Sequence, residues 1–200
     1  MTEIKICGLK REEDIRYVNR LRPEMAGFVF AKKSSRFLTQ KQGAVLRKKL
    51  DPGILAVGVF ADAPLELPAQ YAAQGLIDVI QLHGSEDELY IRRLREMTKA
   101  RIIKAFCAES LEDIKRAQAS PADLILLDAG SGGTGETFDW ALAENTGRPF
   151  LLAGGLTPEN VREAIRRSGC MGVDVSSGVE TDGLKDYHKM KKFTETVRSQ

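Results

Sequence analysis

Cysteine and histidine are scarce in this chain, and where they stand excludes more than their number does. Cys7, Cys107 and Cys170 form an odd, widely spaced set with no CxxC pair, which argues against a disulfide framework and against a zinc site. His83 and His188 lie far apart and share no ligand spacing, so no bound metal is expected. Charge of one sign is also lacking. Lys and Arg number 30 against 28 Asp and Glu, a formal net charge of +2, too even for a surface that binds nucleic acid or membrane. A phosphorylated small molecule, by contrast, needs only a local positive site. No apolar run approaches membrane-spanning length. The short apolar stretch after Met1 gives way to charges from Lys10 to Arg16, unlike a signal peptide. Unpaired thiols then place the chain in a reducing cytoplasm. Low-complexity tracts, Pro/Gly/Ser linkers and composition breaks are absent too, so residues 1–200 are expected to form one domain. The 200 residues, 42% hydrophobic and 29% charged, suffice to bury a core.

What is present is a rhythm. Short apolar runs rich in β-branched residues recur at roughly 20 to 25 residues, with helix-like segments between them. Strands are expected at Glu3 to Cys7, Ala26 to Phe30, Leu55 to Phe60, Asp78 to Leu82, Ile102 to Phe106, Leu124 to Asp128, Phe150 to Ala153 and Gly172 to Val175. Helices are expected at Arg11 to Arg20, Thr39 to Leu50, Leu65 to Gln74, Glu86 to Thr98, Ser110 to Gln118, Asp139 to Glu144, Pro158 to Arg167 and Leu184 to Arg198. Ser85 and Thr157 stand where N-caps belong. Eight βα repeats make an α/β chain with the strand count of a closed (β/α)8 TIM barrel. The rival is a doubly wound open sheet, whose glycine fingerprint should follow the first strand. Here that strand ends in Cys7-Gly8-Leu9, and the glycine-rich stretches follow the sixth, seventh and eighth strands, which favours the barrel.

Active sites of such barrels lie at the C-terminal ends of the strands, and those ends are polar here: Cys7, then Ser34, Ser35 and Arg36, then His83, Asp128 and Asp174. In Lys5-Ile6-Cys7-Gly8-Leu9, alternation sends Ile4 and Ile6 to one face and Lys5 and Cys7 to the other. Cys7 is either a small core residue or a thiol doing proton chemistry. Asp128 ends an apolar strand and precedes Gly130, Gly132, Gly133 and Gly135; it serves either as a turn cap or as a general acid. Such a glycine loop suits closure over a ligand. Arg36 is either a solvated charge or a fork for a planar carboxylate, and His83 either a rim residue or a chemical group. The segments Phe150 to Pro158 and Val173 to Glu180 each run from strand through small residues into a helical turn, the pattern of the phosphate site after strands seven and eight. Lys5 and Asp174 are expected to pair across barrel closure, the ammonium lowering the Cys7 pKa enough to supply thiolate near neutral pH. In the alternative, Lys5 snorkels to the rim and Asp174 bonds substrate.

Taken together, KICGL at Lys5 to Leu9, GFVF with SSR at Gly27 to Arg36, QLHG at Gln81 to Gly84, LLDAGSGGTGETFDW at Leu126 to Trp140, LAGGLTPENV at Leu152 to Val161 and VDVSSGVE at Val173 to Glu180 resemble the phosphoribosylanthranilate isomerase family of tryptophan biosynthesis from end to end. The resemblance implies a (β/α)8 barrel that performs an Amadori rearrangement of N-(5-phosphoribosyl)anthranilate without metal or cofactor. It implies Cys7 as general base, Asp128 as general acid, Arg36 on the anthranilate carboxylate, and Gly154, Gly155, Ser177 and Gly178 as the phosphate site; His83 and Asp174, from their places at strand ends, are expected beside the substrate. The implied partner is a small phosphoribosyl substrate, with no nucleic acid and no membrane, and the chain is a monomer or a homodimer. Glu136 stands where many members carry lysine, and Ser34-Ser35 where Ser-Pro is frequent. Two rival readings are a histidine-pathway barrel isomerase, which would use paired aspartates, and a catalytically silent phosphosugar-binding barrel.

Overall fold

The computed structural model describes residues 2–128, 140, 143 and 146–199. The glycine-rich stretch after Asp128, Glu136, and most of the helix expected from Asp139 to Glu144 lie outside these residues. Eight strands close into a parallel barrel in chain order, β1 pairing with both β2 and β8. They are β1 (Glu3–Cys7), β2 (Met25–Val29), β3 (Leu55–Phe60), β4 (Val79–Leu82), β5 (Arg101–Cys107), β6 (Leu124–Asp128), β7 (Phe150–Ala153) and β8 (Gly172–Val175). The helices are α1 (Glu12–Leu21), α2 (Gln40–Lys49), α3 (Glu66–Ala73), α4 (Glu88–Met97), α5 (Leu111–Ala119), α6 (Val161–Ser168) and α7 (Tyr187–Arg198).

Alternation along the strands sorts the apolar residues into separate clusters. Met25, Val57, Val79, Ile103, Leu124, Leu126 and Leu151 fill the barrel. Ile4, Ile6, Phe28, Ile80 and Leu152 belong to the larger core shared with helix residues such as Ile15, Leu94 and Phe193. Cys7, Val29 and Val59 form a small third cluster at the mouth. The interior is therefore a packed column, and its top layer is where a ligand can meet side chains.

The starts of α4 and α7 differ from expectation for local reasons. Asp87, not Ser85, caps α4 by accepting from the Tyr90 N–H at 2.7 Å; the Ser85 hydroxyl donates to Asp62 at 2.6 Å instead. Helix α7 begins at Tyr187, because Glu180–Thr181 (β9) and Leu184–Lys185 (β10) pair as an antiparallel hairpin. Its turn is Asp182-Gly183, with φ of 52° and 75°, the left-handed pair that a two-residue hairpin turn requires.

The loops after β3 and β4 are tied to β5 by one buried carboxylate. Glu86 accepts from the backbone N–H groups of Asp62 at 2.8 Å and Gly84 at 2.9 Å and from Lys104 Nζ at 2.9 Å. Removing one partner of a buried ion pair strands the other. Glu86→Ala is therefore expected to cost about 3 kcal/mol or more in urea unfolding. Combining it with Lys104→Met should recover part but not all of that loss, since the two N–H groups stay unpaired. Unchanged stability in Glu86→Ala would refute the role.

Candidate active site

Strand β1 delivers Cys7 to the mouth with 9% exposure and places Lys5 one pleat below it on the same face. Lys5 is fully buried, and the β1–β8 register sets it opposite Asp174. Its Nζ donates to Asp174 Oδ1 at 2.9 Å, the pair that alternation and closure lead one to expect. Burial alone would depress the Lys5 pKa, but Asp174 and Cys7 outweigh it and hold the ammonium above its ordinary value. The effect on the thiol differs from expectation. Burial pushes Cys7 up, Lys5 and Lys185 pull it down, Asp174 pushes it up again, and the net direction is upward. An ammonium already neutralised by a carboxylate repays only part of the desolvation of a thiolate.

His83, at the end of β4, lies with Nε2 3.4 Å from Asp128 Oδ2, so the residue read as a possible rim histidine meets the candidate acid directly. Its Nδ1 sits 2.9 Å from Gln81 Nε2. With the Gln81 amide in this orientation its nitrogen donates and Nδ1 accepts, and a ring carrying one proton then holds it on Nε2, facing Asp128. Gln81 was not among the candidates, although the period of two in QLHG puts it on the His83 face. Its Oε1 is buried with no hydrogen-bond partner among the described residues.

Arg36 follows β2 and runs across Gly8, whose φ is 81°; a Cβ there would lie 2.3 Å from Arg36 Cδ. Its Nε and Nη2 donate to Glu180 Oε1 and Oε2 at 2.8 and 2.6 Å, so the expected carboxylate fork already holds a carboxylate of its own chain. Lys185 Nζ donates to the same Glu180 Oε1 at 2.6 Å and to the Ser176 carbonyl at 3.0 Å. Burial would raise the Glu180 pKa, but hydrogen bonds from Arg36 and Lys185 bring it down to about 2. For Lys185 burial prevails and the pKa is lowered despite Glu180. Ser176 closes the chain of contacts by donating to the Cys7 carbonyl at 3.1 Å. Glu180 closes the VDVSSGVE motif without having been read as a site residue, and Lys185 was legible only through the Asp-Gly turn that precedes it.

After β7, Gly154 and Gly155 take φ of 87° and 60°, a conformation glycine adopts without strain. Asn160 fixes this turn, accepting from the Thr157 N–H at 2.8 Å and donating to the Gly155 carbonyl at 2.9 Å, so α6 starts after Asn160 rather than at Pro158. After β8, Ser177–Val179 form a 3-10 turn. A Cβ at Gly178 would fall 1.8 Å from the Leu156 carbonyl oxygen, so only glycine lets the two turns lie together. Both turns, Cys7, Arg36, His83, Asp128 and Asp174 line one cavity of about 310 Å³. Among the described residues no group of His, Cys, Asp and Glu could hold a metal ion, and no helix is long and apolar enough to cross a membrane.

A closed parallel eight-stranded barrel with thiol, carboxylate and paired glycine turns at its strand ends is a (β/α)8-barrel enzyme. The family model described as N-(5'-phosphoribosyl)anthranilate (PRA) isomerase matches residues 4–196. N-(5'-phosphoribosyl)anthranilate isomerase from Caldanaerobacter subterraneus is 43% identical over 204 residues, covering 99% of this chain and 98% of the relative. Two solved structures agree over the full length of both chains. One is a phosphoribosyl anthranilate isomerase in complex with reduced 1-(o-carboxyphenylamino)-1-deoxyribulose 5-phosphate, with TM-score 0.89 and 34% identity. The other is a monomeric form of the dimeric Thermotoga maritima enzyme, with TM-score 0.88 and 33% identity. The chain belongs to the N-(5'-phosphoribosyl)anthranilate isomerase family of tryptophan biosynthesis.

The ion pair below Cys7 has a measurable consequence. Because the Lys5 ammonium favours the thiolate, Lys5→Met should move the Cys7 titration to still higher pH, read as the alkylation rate against pH. An unchanged titration in a folded Lys5→Met protein would exclude that influence.

Proposed function

We propose that residues 1–200 act as one catalytic domain in which Asp128 is the general acid and Cys7 the general base. The reaction converts N-(5'-phosphoribosyl)anthranilate to 1-(2-carboxyphenylamino)-1-deoxyribulose 5-phosphate. The observation that carries these assignments is that Cys7 and Asp128 open into the same cavity as the two glycine turns and Arg36. A substrate with phosphate at one end and a carboxylated ring at the other can thus lie between acid and base. Backbone N–H groups around Gly154, Gly155, Ser177 and Gly178 take the phosphate, and Arg36 takes the ring carboxylate. Asp174, held by Lys5, keeps one oxygen for a substrate hydroxyl.

In the first step Asp128 protonates the furanose oxygen, the C1–O bond breaks, and the anthranilate nitrogen lone pair forms the C1=N bond of an iminium. His83 Nε2 faces the carboxylate this leaves and stabilises it. In the second, Cys7 removes the C2 proton, whose electrons flow to the iminium to give an enolamine. Protonation at C1 and loss of the C2 hydroxyl proton complete the ketose. A thiol raised by burial suits this order of events. The iminium places a cation beside Cys7 only once the ring has opened, which both acidifies C2–H and favours the thiolate.

The same reading places the chain in the cytoplasm, in keeping with three free thiols. Every assigned group comes from one chain, so a monomer and a homodimer serve equally.

Asp128→Asn and Cys7→Ser should each lower kcat by about 10²-fold or more, since positioned proton transfer supplies that much. Affinity for the reduced product analogue should stay within about tenfold. Turnover is followed by loss of substrate fluorescence, and comparable turnover in either variant overturns its role. Inorganic phosphate should compete with substrate, and Gly178→Val should raise KM through the clash with Leu156; a phosphate effect that is not competitive would put the anion elsewhere.

A further inference from the structure

Arg36 is assigned to the substrate's carboxylate, yet one side of its guanidinium is already taken. Nε and one N–H of Nη2 meet Glu180 side-on. A guanidinium has five N–H donors, so three remain, and one each on Nη1 and Nη2 form the end face that accepts a second planar carboxylate bidentately. Holding Glu180 would still cancel the charge of Arg36, were it not for Lys185 on the other flank of Glu180 at 2.6 Å. Two cations against one carboxylate leave one net positive charge. Glu180 and Lys185 are 8% and 1% exposed at their side chains, so solvent screens this arrangement little.

The hairpin explains how the pair comes about. Glu180 and Lys185 are register partners across β9 and β10, and residues directly opposite in an antiparallel pair project to the same face. Arg11 Nη2 holds the Lys185 carbonyl at 3.0 Å, and the crossing over Gly8 fixes the aliphatic part of Arg36. The guanidinium is thus held at both its stem and its side.

We propose that Glu180 and Lys185 are positioning residues for recognition of the substrate's aromatic carboxylate. Glu180 clamps the side of the Arg36 guanidinium so that its end face is presented to the cavity, and Lys185 offsets the Glu180 charge so that Arg36 meets the substrate as a net cation. This rests on the assignment of Arg36 made above.

The test compares two inhibitors, the reduced product analogue and its counterpart lacking the ring carboxylate. The parent enzyme should prefer the carboxylated compound by about tenfold or more, as a charge-assisted bidentate contact provides. Glu180→Gln combined with Lys185→Met removes both charges together and should shrink that preference to about threefold or less, while inhibition by inorganic phosphate and by the decarboxylated analogue changes little. Lys185→Met alone leaves Glu180 to neutralise Arg36 and should also shrink it. Glu180→Asp keeps both charges but shortens the reach, and carries the same test with a smaller fall if the double variant does not fold. A preference kept in full by the folded variants overturns the proposal. No preference in the parent enzyme would instead remove the Arg36 assignment beneath it.

Discussion

Pairing of β1 with β8 is the constraint from which the rest of the structure follows. Until those strands meet, Lys5 and Asp174 are 169 residues apart and each would be an unpaired charge in an apolar column. Closure in the observed register puts them face to face. A slip of one residue would turn Ile4 and Ile6 inward and expel Lys5 and Cys7. The ion pair thus specifies register, and the register in turn lifts the thiol to the mouth. Stability is a separate matter, because a buried pair of this kind gains little over an apolar pair of equal volume.

The mouth is organised by cations that already have partners. Lys5 has Asp174; Arg36 and Lys185 share Glu180. Burial outweighs the pull of Lys5 and Lys185 and sets the direction of the thiol pKa. Asp128 is placed differently: it is half-buried beside His83, whose Nδ1 lies 2.9 Å from Gln81 Nε2. Cys7 and Asp128 therefore sit in distinct surroundings within one cavity.

Much of this was legible in the sequence. The eight apolar runs and the glycines after the last of them are enough for a barrel, and alternation in KICGL forecasts the Lys5–Asp174 pair, because periodicity and closure are one-dimensional rules. The Asp-Gly hairpin at 182–183 could have been read by the same kind of rule; its strands are only two residues each, too short to show alternation beside a strong helix pattern. The partners of Arg36 and His83 are another matter. Glu180 is 144 residues from Arg36, and the Asp128 contact to His83 joins the ends of β6 and β4, so neither can be found without the radius of the barrel. The direction of the Cys7 pKa is a sum of opposing effects whose largest member, burial, has no signature in sequence order.

The hairpin that carries Glu180 and Lys185 has a root and a tip with opposite obligations. The root residues are committed to the mouth, whereas Thr181, Asp182, Gly183 and Leu184 are all exposed, and a Cβ at Gly183 meets nothing within 4 Å. Exposed turn tips of this kind tolerate added sequence. The barrel therefore carries, a few residues from its most interlocked charges, a natural port where a reporter or a tether could be grafted with its anchor points held in register by the cross-strand pair.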